Sequence, residues 1–434
     1  MSGRRVAYLN ARLLDPDSGL DAPGNLLSID GVVAALGPRL FADGVPGDAE
    51  VVHCGGRVLA PGLIDMRVFV GEPGAEHKET LASAGQAAVA GGITTIVTMP
   101  NTTPPIDDIA LVEYISKRGR ESSAVRVYPM AAVTVGLAGQ RMTEIGLLTQ
   151  AGAIAFTDGD RSVADGQVMR RALSYGRAFG ALLCQYPEEP TLARDGAMNE
   201  GEVAMRLGLP GIPGAAETIM LERDLRLVGL TGGRYHAAAL STAASVEALR
   251  RAKQQGLPAS GAALPHNFAL NESAVGEYRT FAKTQPPLRA EEDRRALVDG
   301  LADGTIEVIC SGHDPQDVES KRQPFEQAAF GAIGLETMLP LALELHHNQE
   351  LSLLALLGKM TVGPARLLGL PQGRLAPGAP ADLVLFDPEQ PWRIDEARLI
   401  SKSKNTPYHE RPVQGRVWRT VVAGRQVFPP PRET

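Results

Sequence analysis

The chain has 434 residues, 44% of them apolar, and a formal net charge of −7. That length suits one large barrel with a smaller attached domain rather than a single small core, and the acidic balance argues against nucleic acid and anionic membrane surfaces as partners. Cys54, Cys184 and Cys310 are far apart and form no CxxC pair, so neither a disulfide framework nor a thiolate zinc site is indicated.

Residues 1–55 hold short strand-like runs broken by Asp-Pro, Asp-Ser-Gly and Pro-Gly turn signals. Apolar runs then alternate with helical patterns, and strands are expected at 62–70, 94–99, 125–132, 153–157, 181–184, 235–240, 258–263 and 307–310. The alanine-rich stretch 79–90 reads as a helix stopped by Gly91 and Gly92. From about 372 the turn-rich strand pattern returns, at 381–387 and 416–428. Eight strand–helix units fit a (β/α)8 barrel of residues 56–370, whose sites lie at the strand C-terminal ends. Residues 1–55 and 371–434 read as one small β-sandwich domain formed by both termini. No run of 18 apolar residues occurs and no apolar signal core follows the first residues, so a cytoplasmic protein is expected.

Residues 61–74 read Pro-Gly-Leu-Ile-Asp-Met-Arg-Val-Phe-Val-Gly-Glu-Pro-Gly. This resembles the opening motif of dihydroorotase-type cyclic amidohydrolases, Pro-Gly-x-x-Asp-x-His-x-His-x-Arg-Glu-Pro-Gly. Further segments carry the likeness along the chain: Met99 to Thr102, Phe156 to Asp158, Pro286 to Arg289, Pro324 to Glu336, and Ser401 to Pro407. Together, in this order, they identify the chain as similar to the bacterial long-chain dihydroorotase family. The resemblance implies an amidohydrolase-type barrel and a metal that activates water.

The positions that the resemblance assigns to metal ligands do not carry them. Arg67 and Phe69 stand for the two first-strand histidines, spaced i and i+2 so as to share one face. Gly159 stands for a fourth-strand Asp, Thr157 for the carbamylated lysine of related enzymes, Tyr186 for the fifth-strand His, Ala239 for the sixth-strand His and Gly312 for the eighth-strand Asp. The substrate-binding Arg is Gly71. Asn101 remains, with Gln285 and His313 as further residues left for a small ligand. His236, His266 and His313 read as structural histidines. A relocated metal site from Asp158, Asp160, His236, His313 and Asp314 is the alternative.

A guanidinium keeps its proton and has no lone pair to offer. Two unit charges about 4 Å apart interact by roughly 4 kcal/mol at an effective dielectric near 20, and a dication about doubles that. Arg67 therefore opposes a metal. Its charge either fills the vacated metal space and pairs with Asp158 or Asp160, or turns to solvent. The leading expectation is a dihydroorotase-like pseudoenzyme of pyrimidine biosynthesis that binds no cofactor. The resemblance implies a structural role beside the catalytic chain of aspartate carbamoyltransferase, in an oligomer. The alternative is an active, zinc-dependent dihydroorotase with an unorthodox site, opening dihydroorotate to N-carbamoyl-aspartate. A third reading is a small-molecule sensor.

Overall fold

A computed structural model describes residues 4–430; residues 1–3 and 431–434 of the expected β domain lie outside them. The eight expected barrel strands are all present. They are β1 (Leu63–Val68), β2 (Ile93–Thr98), β3 (Arg126–Ala131), β4 (Ala155–Phe156), β5 (Leu182–Gln185), β6 (Arg234–Ala237), β7 (Ala259–Ala263) and β8 (Val308–Ile309). Each pairs with the next in parallel. Apart from Arg126, Val127 and Tyr128 at the start of β3 and Arg234 at the start of β6, their residues are buried. This follows from a parallel sheet covered on its outer face by helices and filled by side chains on its inner one.

The ring closes between β1 and β8 by a different device. At the mouth Val68 forms a parallel bridge with His313, just beyond β8, and Phe69 N–H donates to His313 O at 2.9 Å. Nearer the base the two strands part. Ile64 N–H bonds Met360 O and Ile309 N–H bonds Lys359 O, so this two-residue segment fills the gap. Asp65, wholly buried, adds a third tie by accepting from Ser311 N–H at 3.1 Å and Arg67 N–H at 3.2 Å. Burial raises its carboxyl to about 6 against those bonds.

The expected helix at 79–90 begins at Leu81. Thr80 Oγ1 accepts from Ser83 N–H and the Ser83 hydroxyl accepts from Thr80 N–H, which supplies the first turn's missing partners. Its Gly91-Gly92 stop has a second cause. Gly92 has φ +80°, and a Cβ there would lie 2.7 Å from Val384 Cγ2 of the terminal sheet.

The terminal strands make one mixed sheet. The strands at Arg425–Phe428, Pro412–Val422, Leu383–Arg393, Val58–Pro61, Arg5–Asp15, Leu20–Ile29 and Val32–Gly37 lie side by side in that order, and Ala49–His53 pairs beside Arg5–Asp15. Val6, Tyr8, Leu13, Leu26, Leu59, Leu383 and Leu385 belong to its own apolar core. Arg126 at the start of β3 binds the buried Asp382 through two nitrogens, at 2.6 and 3.2 Å, and so joins barrel to sheet. Among the described residues no helix is long and apolar enough to cross a membrane.

Candidate functional site

The barrel interior is a separate apolar cluster that includes Met66, Val97, Met130, Ala155, Leu182, Cys184, Ala262 and Cys310. At its mouth a narrow cavity is lined by Met66, Arg67, Met99, Met130, Thr157, Cys184, His236, Ala238 and Cys310. It has room for about one water-sized occupant. The β1–β2 ladder loses register between Asp65 and Val68. Met66 and Arg67 both border the cavity.

Arg67 does neither thing that the sequence offered. Its side chain does not turn to solvent, since the residue is 7% exposed. It does not pair with Asp158 or Asp160 either. Asp158 is buried and takes up both carboxylate oxygens with the Thr134 N–H and hydroxyl, and Asp160 is exposed. The guanidinium carbon lies instead 5.6 Å from the centre of the Tyr186 ring, within cation–π range. Among the described residues the Arg67 guanidinium has no hydrogen-bond or ion-pair partner. Tyr186 is buried too, and its hydroxyl donates to Glu188 at 2.9 Å.

The other positions are closed to ligation by backbone as well as by residue type. Gly159 has φ +76°, and a Cβ there would lie 2.8 Å from Asn101 Cγ. Gly312 has φ +63°, and a Cβ would meet Leu264 Cδ1 at 2.9 Å and His266 Cε1 at 3.0 Å. At Gly71 it would lie 2.1 Å from the Ala75 carbonyl oxygen. Phe69 and Ala239 are buried apolar residues. Of the residues left for a small ligand, Asn101 Oδ1 is buried without a partner. Gln285 reaches across to Asp160 O at 3.3 Å. His313 is taken up elsewhere: its Nδ1 accepts from Gly334 N–H, and its Nε2 faces Glu79 at 3.5 Å. Glu79 also accepts from the Ser401 hydroxyl and from Lys402 N–H.

Two histidines remain near Arg67. His236 Nδ1 lies 2.8 Å from Ser260 Oγ, and its Nε2 is buried and unpartnered. His266, in the short helix Pro265–Ala269 after β7, likewise has an unpartnered, buried Nε2. Burial, helped by the Arg67 charge, lowers both to about 3, so both rings are neutral. Burial raises the Cys184 thiol to about 12 and Cys310 well above its ordinary value, so neither offers a thiolate. The carboxyl of Asp314 rises to about 6, chiefly by burial, and it accepts from Gln316 Nε2 at 2.9 Å.

A metal does not fit these residues. Neutral histidines alone could serve as ligands, but a fixed cation stands beside them and no carboxylate lines the cavity. Among the described residues no group of three or more His, Cys, Asp and Glu side chains is arranged to hold a metal ion, which includes the relocated set of Asp158, Asp160, His236, His313 and Asp314. Sequence reasoning passed over Arg289 as anything but part of a matching loop. It is buried and binds Ser241 Oγ, Asn199 Oδ1 and Ile212 O, and Ser241 and Thr242 N–H in turn donate to the buried Glu217. The four side chains lock three mouth loops together. Its only sequence signal was the Pro-Pro-Leu-Arg run.

Comparison with known proteins agrees with the fold. Residues 56–245 match a family described as dihydro-orotase-like, and residues 309–428 match the amidohydrolase family. A dihydroorotase of Anaplasma phagocytophilum is 44% identical over 426 residues, which cover 98% of this chain and 95% of that protein. One of Desulforapulum autotrophicum is 44% identical over 423 residues, covering 98% and 99%. Among solved structures, the L-hydantoinase (dihydropyrimidinase) of Arthrobacter aurescens superposes with a TM-score of 0.88 at 24% identity, covering 98% of this chain and 96% of that one. That likeness shows a shared fold.

Proposed function

The chain belongs to the dihydroorotase-like family of amidohydrolases, and on that premise we propose that it keeps the family's barrel without metal-dependent ring hydrolysis. One observation carries this reading: Arg67, buried and without a hydrogen-bond or ion-pair partner among the described residues, occupies the strand end where the family resemblance places a metal ligand. Substitution by a neutral residue would leave a weakened site. Substitution by a permanent cation opposes the metal itself. The left-handed backbone at Gly159 and Gly312, with filled space around each, supports the same reading.

A second reading is an active dihydroorotase that opens dihydroorotate to N-carbamoyl-aspartate by an unorthodox site. It rests on one specific observation, that relatives 44% identical along 98% of the chain carry the name dihydroorotase. Metal analysis of the dialysed protein, run beside a ring-opening assay with dihydroorotate, separates the two. Less than a tenth of an equivalent of zinc and no ring opening is the expected result. Near-stoichiometric zinc, with turnover lost on chelation, would replace the first reading by the second.

The aspartate carbamoyltransferase partnership and the cytoplasmic setting are proposals of the same kind, supported by the family resemblance. A stable assembly would bury more than about 1,000 Å² per interface. Co-expression and size-exclusion chromatography test it. The expected result is co-elution; a transferase of unchanged size and activity would end it.

A further inference from the structure

One outer helix of the barrel, Gly214–Thr231 between β5 and β6, leaves a patterned face uncovered. Its inner face is buried through Met220, Leu221, Leu225 and Val228. Its outer face carries Ile219, Glu222, Arg226, Gly229 and Leu230, which fall within about 100° of one another around the helix axis. Ile219 is 53% exposed and Leu230 66%. One exposed apolar side chain needs no explanation, but the order of these residues does. Along the helix it runs apolar, negative, positive, apolar. Ile219 with Leu230, and Glu222 with Arg226, are both centred on Asp224 and Leu225.

From this we infer that the face binds a second copy of the chain, helix against helix about a two-fold axis. An identical helix laid antiparallel across that centre presents the same order reversed. Ile219 then lies over Gly229 and Leu230 of the second copy, and Glu222 meets its Arg226, twice by symmetry. The charges are placed for this. Arg226 has neither hydrogen bond nor ion pair among the described residues, whereas Arg223 is engaged with Asp224, Val163 O and Ala164 O. Glu222 gives one oxygen to Arg251 at 3.1 Å and keeps the other open. A groove of about 480 Å³ runs beside the stripe, between this helix and Ala243–Gln254, and Leu225, Gly229, Ala252 and Leu257 are among its walls. A Cβ on Gly229 would meet nothing nearer than Leu257 Cδ2 at 3.7 Å, so packing within the chain does not require the glycine. Its missing side chain widens the groove where Ile219 of the second copy enters. The helix is about 27 Å long, and a strip two helices wide, about 20 Å, covers roughly 540 Å² per copy, the size of a dimer that dissociates on dilution. The inference is independent of the metal-free reading and of the transferase partnership.

Sedimentation velocity of the full-length protein across about 1–100 µM follows the monomer–dimer balance. The expected result is a reversible dimer. Arg226→Glu sets acid against acid across the axis and Glu222→Arg sets base against base, and each alone should weaken the dimer at least about tenfold. An equimolar mixture of the two variants should dimerise again, because each copy supplies the charges that the other lacks. A role confined to folding would not be rescued by mixing. Leu230→Asp, at an exposed position, should abolish the dimer and leave the thermal unfolding of the dilute monomer unchanged. A monomer at every concentration, unchanged self-association in Arg226→Glu or Leu230→Asp, or variants that fail to pair when mixed would overturn the inference. If the chain is monomeric and Leu230→Asp instead ends co-elution with the transferase, the face belongs to that partner and the inference falls.

Discussion

Replacing Arg67 by methionine should make the protein slightly more stable. Methionine keeps the unbranched length of the side chain and removes the charge. The residue is 7% exposed, and its guanidinium nitrogens are not among the fully buried unpartnered atoms, so only part of the several kcal/mol that a wholly buried ion costs applies here. Against this stand the Tyr186 ring at 5.6 Å, worth about 0.5–2 kcal/mol, and the attraction of the Asp314 carboxyl. The difference leaves a gain of no more than about 1 kcal/mol for Arg67→Met, at the low end of what is found when buried ionic groups give way to apolar ones. Urea unfolding measures it as a shift of midpoint at unchanged slope. A loss of stability greater than about 1 kcal/mol would refute the reasoning, because it would mean that the guanidinium already has a strong partner in the folded protein.

Three other outcomes are expected. Arg67→His combined with Phe69→His should yield neither stoichiometric zinc nor dihydroorotate turnover, since Gly159, Tyr186, Ala239 and Gly312 still offer no ligand and catalytic groups that act as a unit are not additive; measurable ring opening would show the remaining ligands to be misplaced. His236 is held at about 3 when folded against about 6.5 unfolded, so as pH falls through 6.5 the unfolded chain gains a proton that the folded chain refuses, and stability drops. His236→Gln should remove that drop, gaining about 2 kcal/mol on the unaltered protein between pH 6.5 and 4.5 in urea unfolding; parallel pH curves would show the ring to be charged in the fold. Asp382→Ala strands Arg126 at the barrel–sheet junction and takes the acceptor from Ala423 N–H, which should cost about 3 kcal/mol by thermal or urea unfolding; a change under about 0.5 kcal/mol would mean that the junction does not depend on this pair.

The barrel strands could be read from the chain because each is a short apolar run bounded by glycine, proline or a charged helix, and a strand buried on both faces needs little else. That Phe69, Ala239 and Gly312 cannot coordinate a metal follows from residue type alone. The direction of Arg67 was not. A long side chain goes where neighbouring strands leave space and charge, and the sequence could not show that Thr134 engages Asp158 or that the ring of Tyr186 lies near the guanidinium. Nor could it show that Gly159 has a left-handed backbone with Asn101 in the space of a side chain. His266 read as a structural histidine in the sequence. Its free Nε2 depends on packing between the ends of β7 and β8, which come together only in the closed ring.

The terminal sheet has a consequence for synthesis. Its strand Val58–Pro61 lies between Arg5–Asp15, made before it, and Leu383–Arg393, made near the end of the chain. At about 5–20 residues per second, the ribosome needs on the order of tens of seconds to supply that second neighbour. Until then one edge of the nascent strand is open, and an open apolar edge is where chains pair wrongly. The barrel strands emerge in pairing order and can assemble meanwhile, but the half-sheet cannot complete itself. Messages or proteases that end the chain before residue 383 should therefore yield aggregating fragments even when every barrel strand is present.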